Sequence, residues 1–326
     1  MTAMLCEQAR ADEPNLIAPI QSLHNNLVGD QDDLCFWIHP SDASLSLAIV
    51  SDKKANRVFT YDLAGKLQQT IELTKPGNID IRQGIRLGGN NVDLVAVNSR
   101  GEVPSLRVFS MDSSSRLLIA IDGSGIPTRK NYGGCLGYDK QQERLWFFCT
   151  SETVGVTQYE LTMNAARTIS GKEVRRWDLG KCEGAVGDDE AQQVFVTVET
   201  EGVWCVGMSP DSGTPGQKIL AIGQHGMQAD LEGITLASLS SGTPVLIVSS
   251  QSINQFFVFE RSSPWKHCGT FRIEGASDTD GIDLVQIEGL ARFGGGIFGC
   301  HTSAVNHPVL LSAWDAIQKS FLPVTK

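Results

Sequence analysis

Val58-Phe59-Thr60-Tyr61-Asp62-Leu63-Ala64-Gly65-Lys66 runs from a short apolar stretch into a tight polar turn. The same join recurs where residues 106–110 meet Met111-Asp112-Ser113-Ser114-Ser115, and where 256–259 meet Glu260-Arg261-Ser262-Ser263. Asp62 and Asp112 are 50 residues apart, a period that suits radially repeated, four-stranded blades. A chain of 326 residues holds six or seven such units. Further strand-like runs at 46–50, 92–97, 144–149, 193–198, 203–206, 245–249 and 296–300 are short and rich in Val, Ile, Phe or Tyr. Each is bounded by Gly, Asp, Asn, Ser or Pro, the punctuation of an all-β chain. Helical periodicity is confined to a short candidate at 314–319. The expectation is an all-β propeller, with a sandwich or a parallel β-helix as the competing architectures.

The bulk numbers bound the function. The net charge is −10 and the isoelectric point about 5.1, which argues against a nucleic-acid binder with its basic face. No apolar run is long enough to cross a bilayer as a helix, so no membrane partner is expected. Residues 1–12 hold no apolar signal-peptide core, although Ala9-Arg10-Ala11 has the small-x-small form of a cleavage site. No Pro-, Gly- or Ser-rich linker divides the chain, and Ser209 to Gln217 reads as a loop between strands. The expected organisation is an N-terminal segment, 1–29, and one propeller domain, 30–326, acting as a monomer. The eight cysteines, at 6, 35, 135, 149, 182, 205, 268 and 300, show no C-x-x-C spacing, so a cysteine zinc site is not expected. Cys149 and Cys205 lie in apolar runs and read as buried thiols.

Carboxylates carry the functional signal. Ser277-Asp278-Thr279-Asp280-Gly281-Ile282-Asp283 packs three of them into seven residues. Asp30-Gln31-Asp32-Asp33, Asn78-Ile79-Asp80, Cys182-Glu183-Gly184 and Ala229-Asp230-Leu231-Glu232-Gly233 resemble it. Clustered like charges repel unless solvent or a cation compensates them, and hard oxygen donors are the ligands calcium prefers. Asp and Gly also form ordinary solvated turns; the recurrence of the motifs favours calcium. In a propeller the start of each innermost strand lines the axis, which would gather these distant carboxylates at one mouth. Asp278-Thr279-Asp280-Gly281 lacks EF-hand spacing, since its glycine comes fourth.

Charge also divides along the chain. Residues 50–110 carry nine basic side chains against six acidic ones, whereas 178–202 carry seven acidic against Lys181 alone. A basic arc facing an acidic, calcium-holding arc suits a polyanionic ester. There is no G-x-S-x-G, H-E-x-x-H or P-loop signature. The six histidines do not cluster in sequence, and His39 beside Pro40 reads as structural.

Taken in order, these motifs resemble the β-propeller phytases, the calcium-dependent alkaline phytase family, from about Asp30 to Trp314. The resemblance rests on Asp30-Gln31-Asp32-Asp33 with Trp37-Ile38-His39-Pro40, Asp52-Lys53-Lys54, Asn78-Ile79-Asp80-Ile81-Arg82 and Asn98-Ser99-Arg100. It continues through Tyr132-Gly133-Gly134, Cys182-Glu183-Gly184, Val198-Glu199, Asp230-Leu231-Glu232-Gly233, Ser249-Ser250-Gln251 and the 277–283 stretch. It implies a six-bladed propeller that hydrolyses phytate, inositol hexakisphosphate, with several calcium ions. By the same resemblance Glu183, Glu199, Asp230 and Glu232 hold active-site calcium and position the attacking water. Lys53, Arg82, Arg100 and Tyr132 bind phosphate oxygens. Asp32, Asp33, Asp80, Asp278, Asp280 and Asp283 belong to calcium sites.

The chain departs from the family pattern at Glu152, where a phosphate-binding lysine is expected, and at Glu274, where an aspartate is expected. Glu152 would repel phosphate and weaken a second phosphate pocket. The competing readings are a propeller that binds a phosphorylated ligand or partner without turnover, and a calcium-dependent lactonase or phosphotriesterase.

Overall fold

The computed structural model of the protein describes residues 14–322, except Thr214. Residues 1–12, with Ala9-Arg10-Ala11 and Cys6, lie outside the described residues. The described chain forms six antiparallel sheets arranged as the blades of a propeller. The innermost strands are Gln31–Trp37, Pro76–Leu87, Gly134–Asp139, Cys182–Asp188, Leu231–Ser238 and Ile282–Gln286. Each contacts the next, and the last contacts the first, so the ring closes.

The N-terminal residues complete the ring. Gln21–Leu23 pairs antiparallel with Val309–Ala313 and supplies the outer strand of blade 6. Asn15–Ile17 adds a parallel fifth strand beside His267–Ile273 on blade 5. The turns at Asp62, Asp112 and Glu260 all join the third strand of a blade to the fourth, which accounts for their common composition. Trp314–Phe321 is helical, as the periodicity predicts. Its Trp314 and Ile317 are buried among blades 5 and 6, and the Trp314 indole donates to the Ser238 carbonyl at 3.0 Å.

The core is six apolar layers, one between each pair of neighbouring blades. In blade 1, Cys35 and Trp37 join the layer shared with blade 2, while Leu34 and Phe36 join the layer shared with blade 6. Alternating side chains therefore leave both faces apolar. This is why the second and third strands read as continuous apolar runs rather than as half-polar ones. Cys149 is buried and Cys205 half-buried, and the described cysteines are free thiols.

The inner strands differ from the rest. In four of them the pairing register with the second strand skips two residues: Asp32-Asp33 in blade 1, Gly77-Asn78 in blade 2, Glu183-Gly184 in blade 4 and Glu232-Gly233 in blade 5. Such bulges re-aim side chains. The glycines let the ring close tightly: a Cβ on Gly184 would lie 2.1 Å from the Glu232 carbonyl oxygen, and one on Gly233 2.5 Å from that of Asp280. Gly184→Ala is thus expected to cost roughly 3 kcal/mol, the upper range for overpacking, measured by urea unfolding. A loss under about 0.5 kcal/mol, the scale of inert substitutions, would contradict the close approach.

Candidate metal and phosphate site

The bulges of blades 4 and 5 carry Glu183 and Glu232 toward the axis, and Glu199 enters from the end of the second strand of blade 4, Gln193–Val198. Oxygens of the three lie within 4.8 Å of one another. They are only 8, 1 and 6 % exposed for Glu183, Glu199 and Glu232 respectively. One oxygen of each is buried without a hydrogen-bond partner. Lys181 reaches Glu199 Oε2 at 2.5 Å from the rim. One half-exposed lysine does not compensate three buried carboxylates, and unpaired buried charge is costly. Burial, and then Glu232, push the Glu183 carboxyl well above the usual range. Burial also raises Glu199 and takes Glu232 to about 7. The site therefore holds protons near neutrality or a cation in their place. An all-oxygen, anionic donor set of this kind fits calcium.

Cations and further carboxylates stand beside the trio. Lys53 Nζ lies 2.6 Å from Asp280 Oδ2, 3.0 Å from Asp32 Oδ1 and 3.9 Å from Asp30 Oδ2. Arg100 Nη2 is 3.3 Å from Asp32 Oδ2. Although burial opposes it, Arg100 and Lys53 hold Asp32 below its ordinary value, whereas Asp280 is raised by burial. The Tyr132 ring has the Arg100 guanidinium 5.3 Å and Lys181 Nζ 5.6 Å from its centroid. Burial, and then Glu183, Glu232 and Glu199, raise its phenol. Asp230 precedes the Glu232 bulge, and its charge acts on both Glu199 and Glu232. Gln251 Nε2 donates to Asp280 Oδ1 at 2.9 Å.

A second group of the expected residues sits deeper. Asp33, Asn78, Asp80 and Asp283 line a cavity of about 30 Å³, room for little more than one water or ion. Asp33 accepts from the Ile79 N–H at 3.0 Å and Asp80 from the Leu136 N–H at 2.8 Å. Each thus ties one inner strand to the next. Burial and then Asp80 take Asp283 to about 7, and burial raises Asp33.

Of the two remaining expected residues, Arg82 is bonded to Asp80 of the deeper group and Asp278 lies at the surface. Arg82 donates to Asp189 at 2.7 Å, to Asp80 at 3.0 Å and to the carbonyls of Leu136 and Gly187 at 2.6 and 3.1 Å. Its guanidinium is engaged with the inner strands of blades 2, 3 and 4. Asp278 is exposed, and its backbone N–H bonds Asn254 Oδ1 at 2.8 Å.

Other residues near the mouth carry little sequence signal. Lys181 and Lys130 belong to none of the motifs that carry the resemblance, unlike Gln251. Lys130 Nζ lies 2.8 Å from Glu152 Oε2, and Glu152 is held low first by that contact and more weakly by Lys181 and Arg100. Glu152 thus stands within electrostatic reach of the mouth, already countered by a lysine from another loop.

A family model described as Phytase matches residues 21–321. The chain is 29% identical over 306 residues to the 3-phytase of Bacillus subtilis (strain 168), across 88% of this chain and 80% of that protein. Among solved structures it is similar to regucalcin, a calcium-binding protein of Agrobacterium tumefaciens C58, with TM-score 0.56 and 10% identity over 91% of this chain and 95% of that one. It is also similar to a functionally unknown protein from Desulfotomaculum acetoxidans DSM 771, with TM-score 0.51 and 16% identity over 77% and 74% of the two chains. These two likenesses show the fold alone.

Proposed function

This chain belongs to the phytase family, and from that premise we propose that it is a calcium-dependent phosphomonoesterase acting on phytate or a related polyphosphate. The observation that carries the reading is the buried trio Glu183, Glu199 and Glu232, with carboxylate oxygens within 4.8 Å of one another and one oxygen of each unpartnered. With Asp230 these residues would hold calcium at the mouth. Asp32 and Asp280 would join them, and Asp33, Asp80 and Asp283 would hold a structural ion in the deeper cavity. Calcium held at the mouth would neutralise phosphate oxygens and would lower the pKa of a bound water.

The chain's own groups do the rest. Lys53 and Arg100 rest on Asp32 and Asp280, so an arriving phosphate exchanges one anionic partner for another without bringing a new cation into the site. Their positive charge then offsets the charge of the phosphoryl group. Tyr132, kept neutral by burial and by the glutamates, can donate its O–H to a phosphate oxygen. Without calcium, burial takes the Glu232 carboxyl to about 7, so a proton stands in for the ion at this residue near neutrality. Arg82, expected to bind phosphate directly, is better read as holding three inner strands in place.

The two enzymatic readings separate on substrate. A neutral lactone or phosphotriester has no use for Lys53, Arg100, Lys181 and Lys130 around one mouth. With calcium present, the protein should release phosphate from phytate and leave lactones and phosphotriesters unchanged. Lactone opening without phosphate release would replace this reading, and neither activity would leave ligand binding alone.

Glu152 tunes the rim. Glu152→Lys should lower the apparent KM for phytate several-fold, and lower it less for a simple monophosphate ester, because each added substrate charge gains from the change. The gain should shrink with salt, since Glu152 is exposed. Equal effects on the two substrates would place Glu152 outside the substrate's reach.

A further inference from the structure

A second cluster lies outside the glutamate trio and has different chemistry. Asp30, His301 and His307 each bring a ligand atom within 4.8 Å of those of the other two. Asp30 Oδ1 is 3.1 Å from His307 Nδ1 and 3.8 Å from His301 Nε2. All three atoms are buried and none makes a hydrogen bond. His301 is 0 % exposed, so its idle nitrogen does not touch bulk water. We infer that Asp30, His301 and His307 form a binding site for a divalent ion of the zinc type, separate from the calcium sites. Two imidazoles and one carboxylate suit zinc and its first-row neighbours, whereas calcium takes oxygen donors.

The surroundings support the placement. Gln31 Nε2 donates to the His307 carbonyl at 2.9 Å and fixes the loop that carries this histidine. The His301 backbone N–H donates to the Gly281 carbonyl at 3.0 Å. Asp30 and His307 are partly exposed, with side chains 23 and 34 % accessible, which gives an ion a way in. Asp32 and Asp280 lie near and make the potential negative, while Lys53 faces the other oxygen of Asp30 at 3.9 Å.

One local change accompanies binding. His301 Nδ1 accepts the Asp280 N–H at 3.1 Å, which leaves the ring proton on Nε2, facing Asp30. On coordination that proton moves to Nδ1 and the Asp280 N–H bond is given up. Asp280 Oδ2, 3.5 Å away, then accepts from Nδ1. The result is a carboxylate–histidine–metal arrangement, one imidazole away from the aspartate that Lys53 and Gln251 engage.

Cobalt(II) is a direct probe, because its visible bands report low-coordinate nitrogen and oxygen ligands. The full chain is stripped of metal, saturated with calcium and titrated with Co²⁺. One equivalent should develop visible bands that Zn²⁺ abolishes. His307→Ala, a change in a partly exposed loop, should weaken Co²⁺ binding at least tenfold, whereas Glu183→Gln should leave the bands intact. No bands, or bands that survive His307→Ala, would overturn the assignment. So would loss of the bands in a variant of the stacked pair His225 and His267, or an intense near-ultraviolet charge-transfer band marking thiolate ligands. The readout does not depend on phosphatase activity, so failure of the calcium reading would not be mistaken for failure of this one.

Discussion

Glu232→Gln is expected to lower phosphate release from phytate by roughly 100-fold or more, and Glu183→Gln to do the same. Losing one preorganised charge at a reacting centre typically costs that much. Here each change also removes an anionic donor from a site that holds three within 4.8 Å. The amide keeps the size of the side chain, so the fold should survive. Asp112→Asn is the control: Asp112 lies in an outer turn, with its carboxylate on the Ser114 and Ser115 N–H groups and the Ser115 hydroxyl, and turnover should not change. Equal losses in all three variants would mean the site is misplaced.

Calcium should raise the melting temperature, and the rise should depend on pH. An ion bound only by the folded chain stabilises it by about 2.7 kcal/mol per site at a hundredfold excess over Kd. Protons compete for the same oxygens. Glu232 moves from 4.5 to about 7 on folding, and Asp283 from 3.8 to about 7. Between those values the unfolded chain binds fewer protons than the folded one, so without calcium these groups stabilise the fold at low pH. That stabilisation fades as pH rises toward 7. Calcium replaces the departing protons and reverses the loss. The gap between melting curves in millimolar calcium and in EDTA should therefore be small near pH 5 and widen to at least about 5 °C by pH 8. A gap that is constant with pH would contradict the competition, and identical curves would remove calcium from the fold altogether.

The sequence makes the blades legible through their middle strands. Runs such as 57–61, 144–149 and 256–259 are buried on both faces, so their apolar character is continuous. The inner strands escape that reading because they serve the axis. Cys182–Asp188 and Leu231–Ser238 open on Glu-Gly bulges, and Pro76–Leu87 carries Asn78, Asp80 and Arg82. Their composition is that of turns, although their backbone is strand. The period allows six or seven units; six follows once Gln21–Leu23 is seen to close the last blade.

The site divides in the same way. Resemblance names Glu183, Glu199 and Glu232, and the structure brings them together. The residues named with them separate by depth: Lys53, Arg100 and Tyr132 stand at the mouth, Asp33, Asp80 and Asp283 line the deeper cavity, and Arg82 is engaged with Asp80 and Asp189. Depth along the axis is set by how far each residue lies into its inner strand, which a motif alone does not reveal. His301 and His307 meet Asp30 only because blade 6 returns beside blade 1, a closure linking opposite ends of the chain. The lysine opposite Glu152 comes from residue 130, on a different loop, where no alignment of residue 152 would find it.

The most direct test of the central claim is phosphate release from phytate by the purified protein, followed in millimolar calcium, in EDTA, and after calcium is restored in excess of the chelator. Release should be present in calcium, fall to background in EDTA and return on restoration, with Glu232→Gln inactive throughout. Equal release in calcium and in EDTA would contradict a calcium-held catalytic site at the glutamate trio.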